Sequence, residues 1–376
     1  MARMTVLAIA GALASQASAE SIPPPPPIDI ARIVPPRPAD FTRRLLAWMP
    51  GRVRCAGGDM PAGATIRRPY NLLVYPSATA QPVTLRFGVD NAGRVHSIVR
   101  VNPTSSFGDD IAPALASSRF PAGNSLADCS VTYTARITSL ADAPVADLVS
   151  YSMNAISGPL PREGWQRIEG GANCAQPPRP QPLLRAYPDF SKIAATPGVR
   201  DWSLVRFDTD AGGTPVNLSL VSGTGNRDLD SAAVAAIGRS RFAGGARSGC
   251  LYPYWRSPAK LPSPDAPARP PESAACSRQD NWAVAPVLRY PEPYARRSIE
   301  GWAVLRYDLA PRGAVGNVTV LEAQPSEDFG TRAKRMLEAA KAKPSDVGVR
   351  GCSVVVRYAM PHPEAQTADV PTGVTY

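Results

Sequence analysis

Ile299-Glu300-Gly301-Trp302-Ala303-Val304-Leu305-Arg306-Tyr307-Asp308-Leu309-Ala310-Pro311-Arg312-Gly313-Ala314-Val315-Gly316-Asn317-Val318-Thr319-Val320-Leu321 is the stretch from which the rest of the chain can be read. Leu305, Tyr307 and Leu309 alternate with polar neighbours, the period of a half-buried strand. Ala310-Pro311-Arg312-Gly313 supplies turn chemistry, because glycine accepts the positive φ of a tight reversal. Val315 to Leu321 is a second apolar run, so strand, turn and strand make an antiparallel hairpin.

The same pattern stands twice upstream. Val83, Leu85, Phe87 and Val89 precede Asp90-Asn91-Ala92-Gly93 and the run Val95 to Val101. Val205 and Phe207 precede Asp210-Ala211-Gly212-Gly213 and the run Val216 to Val221. The aromatics Phe87, Phe207 and Tyr307 each lie six residues before their glycine, and a Tyr-Pro pair leads each copy: Tyr75-Pro76, Tyr187-Pro188 and Tyr290-Pro291.

Beyond each hairpin the apolar period shifts from two to near 3.6. Phe329, Ala333, Met336, Leu337 and Ala340 fall on one helical face, as do Leu229, Ala233 and Ile237, with Asn226 or Asp228 as N-cap. In the first copy Pro113 has to sit in the first helical turn. A closing strand follows at Cys129 to Ile137, Cys250 to Trp255 and Cys352 to Tyr358. Copies two and three have room for a short helix after the Tyr-Pro pair, and copy one does not. The fold class expected is α+β: three tandem small domains, each an antiparallel sheet with helices packed on one face.

The six cysteines obey the same repeat. Cys55 and Cys129, Cys174 and Cys250, and Cys276 and Cys352 are 74, 76 and 76 residues apart, and the triplication selects one disulfide per copy from the fifteen possible connectivities. The expected boundaries are an export signal at 1–19, a Pro-rich segment at 20–44, repeats at 45–140, 165–256 and 276–360, a packed connector at 141–164, and a tail without periodicity at 361–376. Residues 257–275, with Pro258, Pro262, Pro264, Pro267, Pro270 and Pro271, read as a stiff extended spacer.

An apolar run from Met4 to Ala14 followed by Ala17-Ser18-Ala19 has the form of a cleavable signal, with cleavage expected after Ala19. Export suits disulfides, the expected compartment is the periplasm, and no membrane span is expected in the mature chain. The net charge is +10, and 36 of the 41 basic residues are arginine, scattered singly or in pairs such as Arg43-Arg44, Arg67-Arg68 and Arg296-Arg297. That distribution reads as a solvated basic surface and not as a nucleic-acid site. With no Cys-x-x-Cys and only His96 and His362, neither a metal site nor a cofactor is expected. Nor is catalysis, since no nucleophile elbow, zinc-protease motif or phosphate loop is present. Asp109-Asp110 and Asp228 with Asp230 are explained by helix dipoles.

In their order these motifs resemble the C-terminal domain of TonB-type energy transducers. The likeness is closest in copy three, through Tyr290-Pro291, Ile299-Glu300-Gly301-Trp302-Ala303-Val304-Leu305-Arg306-Tyr307-Asp308 and Gly313-Ala314-Val315; copy two lacks the Glu-Gly pair and copy one is the most degenerate. The resemblance implies a non-catalytic module that binds extended segments of other envelope proteins, outer-membrane transporters among them, by strand addition. Carried over by position, it implicates Tyr290 and Pro291 with Val354, Val355, Val356, Arg357 and Tyr358. Unlike such transducers, the chain has a short apolar segment, and its Pro23 to Pro27 run would reach only about 15 Å as polyproline. An uncleaved signal would make it a membrane-anchored transducer component, and a pocket of converging polar groups would point instead to an enzyme.

Overall fold

The first sheet is assembled around one long strand. β1 (Arg44–Pro50), β2 (Arg54–Cys55), β3 (Gly58–Asp59) and β4 (Leu72–Val74) precede a hairpin, β5 (Val83–Val89) and β6 (Val95–Arg100). Helix α1 (Ile111–Ala116) and β7 (Leu126–Ser139) complete it. One edge of β7 pairs with β5, and the other pairs in turn with β1 and β2. The computed structural model describes residues 43–360 except 57, 60–61, 103–106, 124, 178, 273–275 and 277–281. The expected signal, the Pro23 to Pro27 run and the tail from Pro361, with His362, lie outside the described residues.

Two helices follow, α2 (Val145–Met153) and α3 (Arg162–Glu169), and then β8 (Gln181–Leu184), β9 (Asp201–Thr209), β10 (Pro215–Gly223), α4 (Arg227–Arg239), β11 (Arg241–Ala243) and β12 (Arg247–Arg256). The second sheet has the order β10-β9-β12. The last part is β13 (Trp282–Val284), α5 (Glu292–Arg296), β14 (Gly301–Leu309), β15 (Val315–Gln324), α6 (Glu327–Glu338), β16 (Lys341–Ala342) and β17 (Val349–Tyr358), with a third sheet ordered β15-β14-β17. The architecture is α+β. All three disulfides join the pairs the spacing selects: Cys55–Cys129, Cys174–Cys250 and Cys276–Cys352.

Local backbone geometry recurs with the sequence pattern. Gly93, Gly213 and Gly313 have φ of 73°, 77° and 81°. Their carbonyls accept from the N–H groups of Phe120, Phe242 and Ala342 at 3.0, 2.9 and 2.8 Å, tying each turn to the residue beyond the helix. A Cβ at any of the three glycines would collide with the carbonyl oxygen of that same residue. Four residues on, Ser97, Asn217 and Asn317 carry φ of 52°, 53° and 50°, each beside a register shift in its hairpin. These are β-bulges, which sharpen strand twist. Gly313→Ala is therefore expected to cost more than the roughly 1–3 kcal/mol of left-handed strain alone. Gly316, whose added Cβ meets nothing within 4 Å, is the control. Denaturant titration showing equal losses at the two positions would contradict this account.

The helices bury the faces that their periodicity marks. Phe329, Ala333 and Leu337 of α6 are fully buried behind the N-cap Ser326, whose hydroxyl accepts from the Asp328 N–H. In α4 the buried residues are Leu229, Ala233, Ala236 and Ile237, and the Asn226 side chain accepts from the Leu229 N–H at 3.1 Å. Pro113 stands in α1, all six residues of which are buried. In the third part the short helix after the Tyr-Pro pair is α5, in the second it is a 3-10 turn at Phe190–Lys192, and in the first none is present among the described residues.

The three sheets do not have three independent cores. Leu85, Phe87, Ile98 and Leu115 of the first part share one cluster with Ile299, Leu305, Val318 and Phe329 of the last. The second sheet packs Val205, Phe207 and Tyr254 against α4. Its opposite face presents Trp202 and Leu204 to Leu148, Tyr151 and Ile168 of α2 and α3, together with Leu45 and Leu73 from the first sheet. The connector is thus a packed helical pair, and the second sheet has helices on both faces.

A buried ion pair locks the parts together. Arg297 donates from Nε to Asp110 Oδ1 at 2.7 Å and from Nη2 to Asp110 Oδ2 at 2.5 Å. The same guanidinium lies 3.3 Å from both the Gly198 and Arg68 carbonyl oxygens and 4.0 Å from the Tyr70 ring centroid. Burial by itself would lower the Arg297 pKa, but the adjacent Asp110 carboxylate outweighs it and holds the guanidinium above its ordinary value. Asp110 also accepts from the Tyr70 N–H at 2.7 Å. A helix dipole therefore does not account for Asp110, and Arg297 is no solvated surface charge. A second seam joins the hairpin of the first sheet to the last part. The Ser97 N–H donates to Gln324 Oε1, and the Ile98 N–H donates to the Pro325 carbonyl, at 2.8 and 2.9 Å.

The proline-rich segment is docked. Leu261 is buried in the shared core, its N–H bonds the Ser298 carbonyl, and its carbonyl accepts from the Glu300 N–H.

Candidate partner-binding edge

A strand at the border of a sheet presents alternate N–H and C=O groups outward, and these decide whether another strand can join. In β17 the Ser353 N–H points away from β14, because it bonds Glu272 Oε2 at 2.9 Å. Pairing with β14 is regular from Cys352 to Tyr358, so the backbone groups of Val355 and Arg357 face the same outer side. No strand pairs with that side among the described residues.

The corresponding edges of the other two sheets are closed. In β7 the Thr132 carbonyl accepts from the Gly51 N–H at 2.8 Å, and β1 pairs with Tyr133 through Ser139. The chain thus supplies its own additional strand there. In β12, Cys250 stands opposite Phe207 as Cys352 stands opposite Tyr307, so Pro253 occupies the position of Val355. Proline has no N–H, and its ring obstructs an incoming strand. The space beside β12 is instead a cleft of about 920 Å³ between Trp165 and Ile168 of α3, Pro180, Arg185 and Tyr252. The Arg185 guanidinium lies 5.1 Å from the Tyr252 ring centroid.

The residues implicated from the sequence separate into two groups. Tyr290 is half-buried, and its hydroxyl donates to the Ile299 carbonyl at 2.6 Å and lies 3.4 Å from that of Tyr358. Its ring meets Tyr358 edge-on at 5.6 Å. Burial, reinforced by the Glu300 carboxylate, raises its pKa, and burial pushes the Tyr358 hydroxyl up to about 12. Pro291, Val356 and Tyr358 are buried, and Val354 packs against the core. Val355 is half-buried and Arg357 exposed. The edge is therefore formed by Val355 and Arg357, while Tyr290 holds the end of β17 in place. Glu272, Trp302 and Ser353 were not legible as part of this site. The indole of Trp302 donates to the Pro264 carbonyl at 2.8 Å, and Ser353 Oγ donates to the Pro270 carbonyl at 2.9 Å.

His96 lies on the first hairpin with Nδ1 3.0 Å from Ser97 Oγ. Among the described residues, no group of three or more His, Cys, Asp or Glu side chains could hold a metal, and no helix is long and apolar enough to cross a membrane.

Residues 286–360 match the family model of the Gram-negative bacterial TonB protein C-terminal. This segment is a TonB C-terminal-like domain. It takes in α5, β14, β15, α6, β16 and β17, but neither Cys276 nor the proline-rich segment before it. No curated protein matches the chain. The TonB C-terminal-like domain thus contains the unpaired β17 edge, and the strands that close the first sheet lie outside the match.

Proposed function

We propose that the protein is a non-catalytic interaction module of the periplasm, built from three tandem TonB C-terminal-like units of which only the third binds. Its ligand is an extended segment of another envelope protein, outer-membrane transporters among them, added as a strand to β17. The outward backbone of Val355 and Arg357 carries this reading, set against the self-paired edge of β7 and the proline at position 253 of β12. Main-chain hydrogen bonds supply affinity in such pairing, and alternate side chains supply selectivity. The three disulfides suit an oxidising compartment. The first two units then act as scaffold, joined to the third through Arg297 and the shared core.

Val355→Pro tests the reading, since it gives β17 the residue that β12 already tolerates at the matching place. Val355 uses no N–H toward β14, so the variant is expected to fold and keep its stability within about 1 kcal/mol. Capture of transporter segments from a periplasmic extract by the full oxidised chain is expected to fall about tenfold or more in the variant. Equal capture by both proteins would refute strand addition at β17.

A further inference from the structure

In every sheet the stretch just before the first cysteine returns to the last strand. In the first sheet it is β1, fully paired with β7. In the second it is α3, on the face opposite α4, and the turn at Asn173–Ala175, which packs on β12. In the third it is the proline-rich segment at 262–272, which follows Leu261 at the Ile299 end of β14 and reaches Ser353 near the start of β17. That course is antiparallel to β17, the direction in which β1 meets β7. We infer that residues 262–272 are a cis-acting strap that crosses the helix-free face of the third sheet and, through Glu272 on the Ser353 N–H, occupies the β17 edge, an internal stand-in that the binding segment has to displace. The inference rests on the strand-addition reading above and names the regulation of that same site.

The attachments of the strap are uneven along its length. Leu261 anchors one end in the core, and the Cys276–Cys352 disulfide tethers the other. Between them the polar contacts include Trp302 Nε1 to the Pro264 carbonyl, Ser353 Oγ to the Pro270 carbonyl, and the Ser353 N–H to Glu272, whose carboxylate also pairs with Arg269 at 3.1 Å. The Glu272 carboxylate stands where the carbonyl of a joining strand would stand. Trp302 and Ser353 are 2% and 0% exposed, so water is kept from these two side chains of the helix-free face. Pro262, Pro264, Pro267, Pro270 and Pro271 lack N–H groups, and the segment builds no ladder. A pairing-competent peptide can therefore outcompete it, whereas β1, with seven paired residues, stays in place.

The test uses the full oxidised chain and a fluorescein-labelled peptide of alternating threonine and valine with one glutamate. Glu272→Ala and Trp302→Phe each remove one strap contact, and each is expected to tighten peptide binding by about fivefold, the pair by about tenfold or more. Val355→Pro in the released background is expected to abolish it. Equal affinity in the wild type and both released variants would overturn the strap while leaving strand addition standing. Absence of binding in every variant would remove the strand-addition reading, and the strap with it. Trp302→Phe keeps the ring and its burial, so a change confined to Glu272→Ala with an unaltered Trp302→Phe would also count against the strap.

Discussion

Replacing Arg297 by alanine is expected to cost roughly 3–5 kcal/mol, because the Asp110 carboxylate is left buried without its counter-ion. Asp110 is 6% exposed and Arg297 2%, so water cannot take over the lost contacts without opening the interface. The Gly198 and Arg68 carbonyls lose a donor at the same time. Asp110→Asn retains the hydrogen-bond geometry but not the charge and is expected to fall between wild type and Arg297→Ala. The double variant Asp110→Leu with Arg297→Met is expected to recover most of the loss, since a well-packed apolar pair escapes the desolvation cost that an ion pair carries. Denaturant unfolding of the four proteins measures this. A loss below about 1 kcal/mol for Arg297→Ala would show that the pair is a bystander.

The second large effect concerns the disulfides. Each closes a loop of 74 or 76 residues, which in the chain-entropy model stabilises the native state by roughly 4–5 kcal/mol. Removal of any one pair by Cys→Ala at both ends is expected to cost about 2–5 kcal/mol, and the three losses are expected to agree closely because loop length enters only as a logarithm. Calorimetry of the three double variants checks it. One bridge costing several times the others would mean that native packing, and not chain entropy, sets its value.

Much of this fold was legible because it is local. The hairpins follow from period-two runs around Gly93, Gly213 and Gly313, and the faces of α4 and α6 follow from Leu229 to Ile237 and Phe329 to Leu337. Cysteine spacing selected the three bridges. β1 was hidden because Leu45, Leu46, Ala47 and Trp48 are all buried, some toward one core and some toward another, which erases alternation. The Arg297–Asp110 pair spans 187 residues, and nothing in a lone Arg-Arg dipeptide identifies its partner. Proline content pointed to an extended spacer at 262–272 but carried no sign of docking, which depends on Trp302 and Ser353. The strand expected to bind, β17, is proposed here as the site, and the direction of the Tyr290 hydroxyl, toward the Ile299 carbonyl, is a contact that family position does not reveal.

The seam between Ser97 and Gln324 joins residues separated by 227 positions. Synthesis proceeds from the N terminus, so the residues of the first sheet exist long before Gln324, and until then Ile98 has α1 on it but lacks the cover that β15 supplies. A chain truncated before β15 therefore leaves part of that apolar surface without its native partner.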